Sequence, residues 1–271
     1  MQIQYSPFFS DSYRRTQMHI SNSGWVQTDE TWKQKPLPVP YSRIYFVQGG
    51  SGCLLTDKAQ ICLEPGFAYL APSGAPCGFY GTDSVTKLFF HVQVTTANGY
   101  DLFSAVQEPV KIPFDVEKTE KLKAWFFSDD TVKQTLLKCA LWETVAAFAE
   151  ELRLTETGQN NCSAVVVKAM GYIRKNLSAG LTVTDVCNAV FCSVGVLTKA
   201  FRQEVGVTMA RYIEDLVMQE AQWQLLQTDK TVGQVSAELG FCDQFYFTRR
   251  FTKRFRITPR EYRKNRPIYE L

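Results

Sequence analysis

The chain has 271 residues, of which 45% are hydrophobic, 21% charged and 13% aromatic. That composition excludes disordered, collagen-like and low-complexity classes and leaves room for two domains of common size. The formal net charge of +3 hides a division: residues 1–159 carry 14 basic and 17 acidic side chains, residues 160–271 carry 16 and 10.

A difference of sign between halves points to nucleic acid or an acidic surface as the partner of the basic half. The N-terminus, MQIQYSPFFSDSYRR, lacks the basic start and apolar stretch of a signal peptide. No apolar run reaches the roughly 20 residues that a bilayer requires, so no membrane partner is expected. The eight cysteines include no Cys-x-x-Cys pair. They read as small hydrophobes in a cytoplasmic, reducing setting. With only His19 and His91 present, a histidine cluster is excluded, and neither a metal nor a cofactor is expected.

Residues 1–40 read as strands and loops, with Pro36, Pro38 and Pro40 marking one extended connection. From Tyr41 to Val94, short runs rich in Val, Ile, Phe and Tyr alternate with turn residues. RIYFVQ ends at a turn, Gly49-Gly50-Ser51-Gly52; CLLTD, AQICLEPG, FAYLAPSG, CGFYGTD and KLFFHVQV follow. This is the pattern of an all-β sandwich or barrel, and a small barrel holds a ligand in its mouth. Arg43, Tyr45 and Val47 share one face of their strand; Phe89, His91 and Gln93 share one face of theirs. Arg43, Tyr45, Phe89 and His91 are the candidate ligand-binding residues, since a basic group among aromatics suits a polar ligand. The alternative for His91 is a core histidine bonded to backbone.

Over 128–154 the period changes. Leu137, Leu141, Val145, Phe148 and Leu152 recur at helical spacing, which predicts an amphipathic helix, either packed on its own barrel or forming a dimer face. KTEKLKAWF predicts a shorter helix before it. TETGQNN, 155–161, is a polar linker where the charge changes sign.

Beyond the linker the sequence repeats. At an offset of 49, Thr182-Val183 matches Thr231-Val232, Val186 matches Val235 and Val190 matches Leu239. At an offset of 50, Phe191 matches Phe241, Cys192 matches Cys242, Ser193 matches Asp243, Leu197 matches Phe247 and Phe201 matches Phe251. Each repeat predicts two short helices joined by a tight turn, the second capped by Ser193 or Asp243, with Gly240 in the second turn. A helix-turn-helix places its second helix in the major groove. The residues it would present are Ser193, Val194, Gly195, Thr198 and Lys199 in the first unit, and Gln244, Phe245, Thr248 and Arg249 in the second. Gln pairs with adenine, Arg with guanine, and Thr or an aromatic touches a thymine methyl. Arg250, Lys253 and Arg254 extend that set as phosphate contacts. Residues 249–266 hold nine basic side chains against the single acid Glu261.

The segment VGQVSAELGFCDQFYFTRRFTKRFRITPREYRK, 232–264, with LTKAFRQEVGVTMARYI, 197–213, resembles the AraC/XylS family of transcription regulators. Gly50-Ser51-Gly52 and LEPGFAYLAPSGAPC resemble that family's cupin-like effector domain. The resemblance implies an α+β multidomain chain: a cupin-like β-barrel over 1–125, a helical joint and linker over 126–160, and an all-α domain with two helix-turn-helix units over 161–271. It implies a homodimer on double-stranded promoter DNA, more often activating than repressing. The expected effector is a small, sugar-like molecule, and RNA polymerase is an expected contact. Three departures stand out: Phe191 replaces a turn glycine, so that turn is expected to be built differently; Val217 replaces an arginine; and Cys77 stands where metal-using cupins place a histidine. With no His-x-His pair, a DNA-tethered cupin enzyme is disfavoured and no catalytic residue is expected. The other alternative is a constitutive DNA-binding dimer whose barrel only mediates oligomerisation.

Overall fold

The computed structural model describes residues 16–29, 31–96, 100–154 and 162–264. The chain divides into two compact units. The first spans 17–95 and 100–154. Among the described residues its seven strands are β1 (Gln17–Gln27), β2 (Lys33–Leu37), β3 (Ser42–Leu55), β4 (Gln60–Leu63), β5 (Phe67–Ala71), β6 (Cys77–Thr95) and β7 (Val110–Pro113). They form one antiparallel sheet in the order β1-β6-β3-β5-β7, with β2 paired to β6 and β4 to β3.

Two strands run longer than the turn residues predict. RIYFVQ and the CLL of CLLTD are one strand, β3, and CGFYGTD and KLFFHVQV are one strand, β6. The Gly49–Gly52 stretch is therefore a bulge: the register against β6 shifts between Val47 and Gly49 and again between Gly50 and Gly52. Gly50 takes φ +81°, and a Cβ there would lie 1.5 Å from the Ser84 carbonyl oxygen. A bulge and a turn ask for the same glycine, and the pairing partner decides between them.

The sheet has two unlike faces. On one, Ile44, Phe46, Leu70, Leu88, Phe90 and Val92 form a continuous apolar core. Two helices cover it: α1 (Val116–Phe126), capped by Asp115, and α2 (Thr131–Glu151), capped by Asp130. Leu122 of α1 and Leu137, Leu141, Val145 and Phe148 of α2 complete that core, so the predicted helical stripe packs on the sheet. The other face carries Arg43, Tyr45, Lys87, Phe89 and His91, all buried.

The second unit is helical: α3 (Ala164–Lys175), α4 (Val183–Ala189), α5 (Val194–Val205), α6 (Met209–Gln227), α7 (Val232–Glu238), α8 (Gln244–Phe255) and α9 (Pro259–Lys264). Its core takes one face of every helix, including Val186, Leu197, Phe201, Tyr212, Val235, Phe247, Phe251 and Tyr262. Val217 is buried in α6, so an apolar side chain packs at the position where the resemblance leads one to expect an arginine. Among the described residues no single helix is long and apolar enough to cross a membrane.

Candidate functional site

Each repeat folds as two helices about a sharp bend, 101° between α4 and α5. The starts of α4 and α7 are reciprocal capping boxes: Thr182 with Asp185, and Thr231 with Gln234. At the start of α8 the Asp243 carboxylate accepts the Tyr246 amide at 2.7 Å, and that bond holds its pKa below the usual carboxylate range. Ser193 occupies the N-cap of α5 without a side-chain cap bond.

The turns correct the sequence register. Gly240 follows the C-cap Leu239 with φ +74°; Phe191 follows the C-cap Val190 with φ +55°. The next amides, of Cys192 and Phe241, bond back to the Cys187 and Ser236 carbonyls. Phe191 therefore corresponds to Gly240 and Cys192 to Phe241, and the inserted residue is Cys242. The first turn is thus one residue shorter than the second, but it opens in the same way. It has the same left-handed geometry, forced on a phenylalanine that is 97% exposed.

The residues expected to face DNA lie on the outer edges of α5 and α8. Ser193, Val194, Gly195 and Lys199 are exposed, as are Gln244, Phe245, Arg249 and Lys253; Thr198 and Thr248 are half-buried. Val196, absent from that set, is 62% exposed beside Val194. The Thr198 hydroxyl donates to the Val194 carbonyl at 2.7 Å. The edge of α5 is thus mostly apolar, and that of α8 is basic. Two of the predicted cations are held within the unit. Arg250 pairs with Glu214 at 2.6 Å and donates to the Tyr246 hydroxyl at 2.9 Å; Arg254 pairs with Asp215 at 3.2 Å. Both acids sit on α6, so these arginines fix α8 against it. Arg249 has its guanidinium 6.0 Å from the Tyr246 ring centre.

In the sheet unit the pairing of β3 with β6 sets Arg43 opposite His91 and Tyr45 opposite Phe89. All four predicted ligand residues therefore meet on one face. Arg43 donates to the Cys77 carbonyl at 3.2 Å. The His91 ring stacks on Tyr41 at 4.6 Å and lies 5.2 Å from Phe89. Lys87 lies outside the sequence-derived set, although the same period of two reaches it. It is 1% exposed, with its ammonium 3.5 Å from the Trp32 ring centre and 3.8 Å from that of Tyr45. Burial, with the Arg43 charge beside them, pushes the pKa of both Lys87 and His91 well below the ordinary range. Among the described residues no group of three or more His, Cys, Asp or Glu side chains is placed to hold a metal ion.

A family model described as a helix-turn-helix domain matches residues 186–265. The transposon Tn10 TetD protein of Escherichia coli is 30% identical over 123 residues, 45% of this chain and 88% of TetD. The chain belongs to the AraC/XylS family. As such it is a DNA-binding transcription regulator. The xylose operon regulatory protein of Escherichia coli K12 is 35% identical over 98 residues, 36% of this regulator but only 25% of that protein. ToxT from Vibrio cholerae shares the mixed fold, with a TM-score of 0.53 over 93% of this chain and 98% of ToxT, at 11% identity.

Proposed function

We propose that this regulator reads promoter DNA with both helix-turn-helix units and that a small molecule held by the sheet unit controls it. The observation that carries the reading is the doubled unit with a basic outer edge on α8, where Gln244, Phe245, Thr248, Arg249 and Lys253 present donors, a methyl group and an aromatic to the major groove. The α5 edge adds Ser193, Val194, Gly195, Thr198 and Lys199. Arg250 and Arg254 contribute by anchoring α8 and by their charge near phosphate. Selection of bound sequences from a random duplex pool tests this. The expected outcome is one enriched site, with Arg249→Ala losing preference at one base position and Lys253→Ala weakening binding at all sequences alike. A pool that shows no enrichment overturns it.

The bulged, bent course of β3 and β6 supports reading the sheet as a cupin-like barrel over roughly 1–125, with Arg43, Tyr45, Phe89 and His91 lining its chamber. The xylose operon relative's name supports a sugar-like effector. A homodimer is supported by a second stripe on α2, where Val132, Leu136 and Trp142 are exposed large apolar residues and Cys139 is exposed between them. In this reading the protein is cytoplasmic, activates transcription and touches RNA polymerase. One observation favours a second reading, a constitutive dimer: Trp32, Tyr45 and Phe79 fill the space around Lys87 with the protein's own aromatics. Promoter affinity that never changes with any small molecule would select it.

A further inference from the structure

Cys53 and Cys62 face each other across the hairpin of β3 and β4. At its turn the Thr56 amide donates to the Ala59 carbonyl at 2.8 Å, and the Ala59 amide donates to the Thr56 hydroxyl at 3.1 Å. The register that follows makes Cys53 the direct partner of Cys62. Directly opposed residues of an antiparallel pair have Cα atoms about 4.5 or 5.5 Å apart, and both separations fall within the range of about 4.4–6.8 Å that a disulfide spans. The two sulfurs are 3.3 Å apart. On its other side Cys53 lies opposite Tyr80 of β6, so Cys62, Cys53 and Tyr80 form one row across three strands. The Tyr80 hydroxyl bonds the Cys53 sulfur. The Gln60 amide donates to that sulfur at 3.4 Å and to the Tyr80 hydroxyl oxygen at 3.0 Å. Cys53 is 3% exposed, whereas Cys62 is exposed. Packing as a small hydrophobe suits Cys53 but not Cys62, since a thiol in water buries nothing. Burial pushes the Cys53 thiol up, so Cys62 is the sulfur that a solute reaches and that reacts first.

We propose that Cys62 and Cys53 are a peroxide-reactive thiol pair that closes to a reversible disulfide. The Cys62 sulfur, as its thiolate, attacks one oxygen of hydrogen peroxide. The O–O bond breaks, Cys62 becomes a sulfenic acid and the other oxygen leaves as water. The Cys53 sulfur then attacks the Cys62 sulfur: the S–S bond forms, the S–O bond breaks, and the hydroxide leaves as a second water with the Cys53 proton. Two thiols are oxidised and one peroxide is reduced to two waters. Tyr80 and Gln60 donate to the Cys53 sulfur, which steadies its thiolate in the second step and again when a dithiol reductant reopens the bond. Among the described residues β4 pairs with β3 alone, so the bond fastens a strand that is otherwise held on one side. In a reducing setting such a bond is transient, as a sensing bond must be. This chemistry is separate from DNA reading and from effector binding and stands if either reading fails.

The test exposes the reduced full chain to a small excess of hydrogen peroxide, alkylates the remaining thiols in denaturant and maps the peptides. Trypsin cuts after Lys58, between the two cysteines, so the bond joins two peptides. Fragmentation of the joined pair tells Cys62 from Cys77, which lies on the same peptide. The expected result in wild type is a Cys53–Cys62 link, two hydrogens lighter than the separate peptides and released by dithiothreitol. The oxidised chain should melt several degrees above the reduced one, because the bond closes a loop of the unfolded chain. In Cys53→Ser, Cys62 should be captured as a sulfenic acid by dimedone; in Cys62→Ser, Cys53 should stay a thiol. The wild-type map stands without either variant. Cys62 carried to sulfinic acid beside a Cys53 that is still a thiol would overturn the proposal. So would Cys62 linked to Cys139 or Cys242 of a second chain, both of which are exposed. Both thiols left free by peroxide that oxidises cysteine in the same buffer would overturn it as well.

Discussion

Phe191 carries two costs at once, a left-handed backbone and a ring in water. A non-glycine residue in that conformation gives up about 1 kcal/mol. Phe191→Gly is therefore expected to stabilise the helical unit by roughly 0.5 kcal/mol after the greater chain entropy of glycine is counted. The midpoint of urea unfolding measures it; a lower midpoint would show that the ring packs on something. Arg249 and Arg250 look alike in sequence and differ in place. Arg249 is exposed, whereas Arg250 is tied to Glu214. Arg249→Ala should cost about 1–3 kcal/mol in affinity for the selected site, while Arg250→Ala acts first on stability, by about 1 kcal/mol or less for so exposed a pair. Binding isotherms set beside unfolding curves separate the two. His91 supplies a pH prediction. Its native pKa lies well below the ordinary 6.5, so the unfolded chain binds the proton first. Stability due to this group is full above about pH 6.5 and declines as the pH falls towards the native value. The charges facing it are Arg43 and Lys87, with Tyr41 stacked on its ring and Phe89 tilted against it. Calorimetry of wild type and His91→Gln between pH 7 and 5 should show the steeper loss in wild type.

Helix starts were legible because their causes are local. The cap read at Asp243 joins residues three apart, as do the capping boxes that the structure shows at Thr182 and Thr231, whereas Ser193 holds its N-cap place without a side-chain bond. Thr231→Ala should cost about 1 kcal/mol, read as a lower unfolding midpoint. The register of the turns was not legible, because a left-handed phenylalanine and a left-handed glycine share no chemistry that an alignment can match. Strand lengths failed for a related reason. Gly49, Gly50 and Gly52 satisfy a turn and a bulge equally, and only β6, distant along the chain, decides. On α2 the period of the stripe over Leu137, Leu141, Val145 and Phe148 predicted burial, and the structure supplies the surface that buries it. The opposite stripe tests the dimer. Leu136→Glu should move sedimentation from dimer to monomer and leave the fold intact, since Leu136 is 43% exposed. An unchanged dimer would place the interface elsewhere.

Across the whole molecule the division of charge matters more than its sum. With the basic residues of 249–264 at the C-terminal end of the reading unit, affinity for duplex DNA should fall steeply with salt. A loss of about 10³ between 50 and 200 mM is expected for six or so phosphate contacts, and a flat dependence would argue against a phosphate-tracking interface. By itself the sequence determined what depends on neighbours along the chain: the two-part composition, the amphipathic periods, the caps, the repeated helix pair and the basic edge of its last reading helix. It also placed Arg43 with Tyr45 on one face of their strand and Phe89 with His91 on one face of theirs, because alternation is local. Only the tertiary structure decided that those two strands are partners in a register that sets Arg43 against His91. The same pairing leaves Lys87 buried between Trp32 and Tyr45. Strand pairing is a contact between distant residues, and its register is a choice among near-equal alternatives that packing on both faces of the sheet resolves.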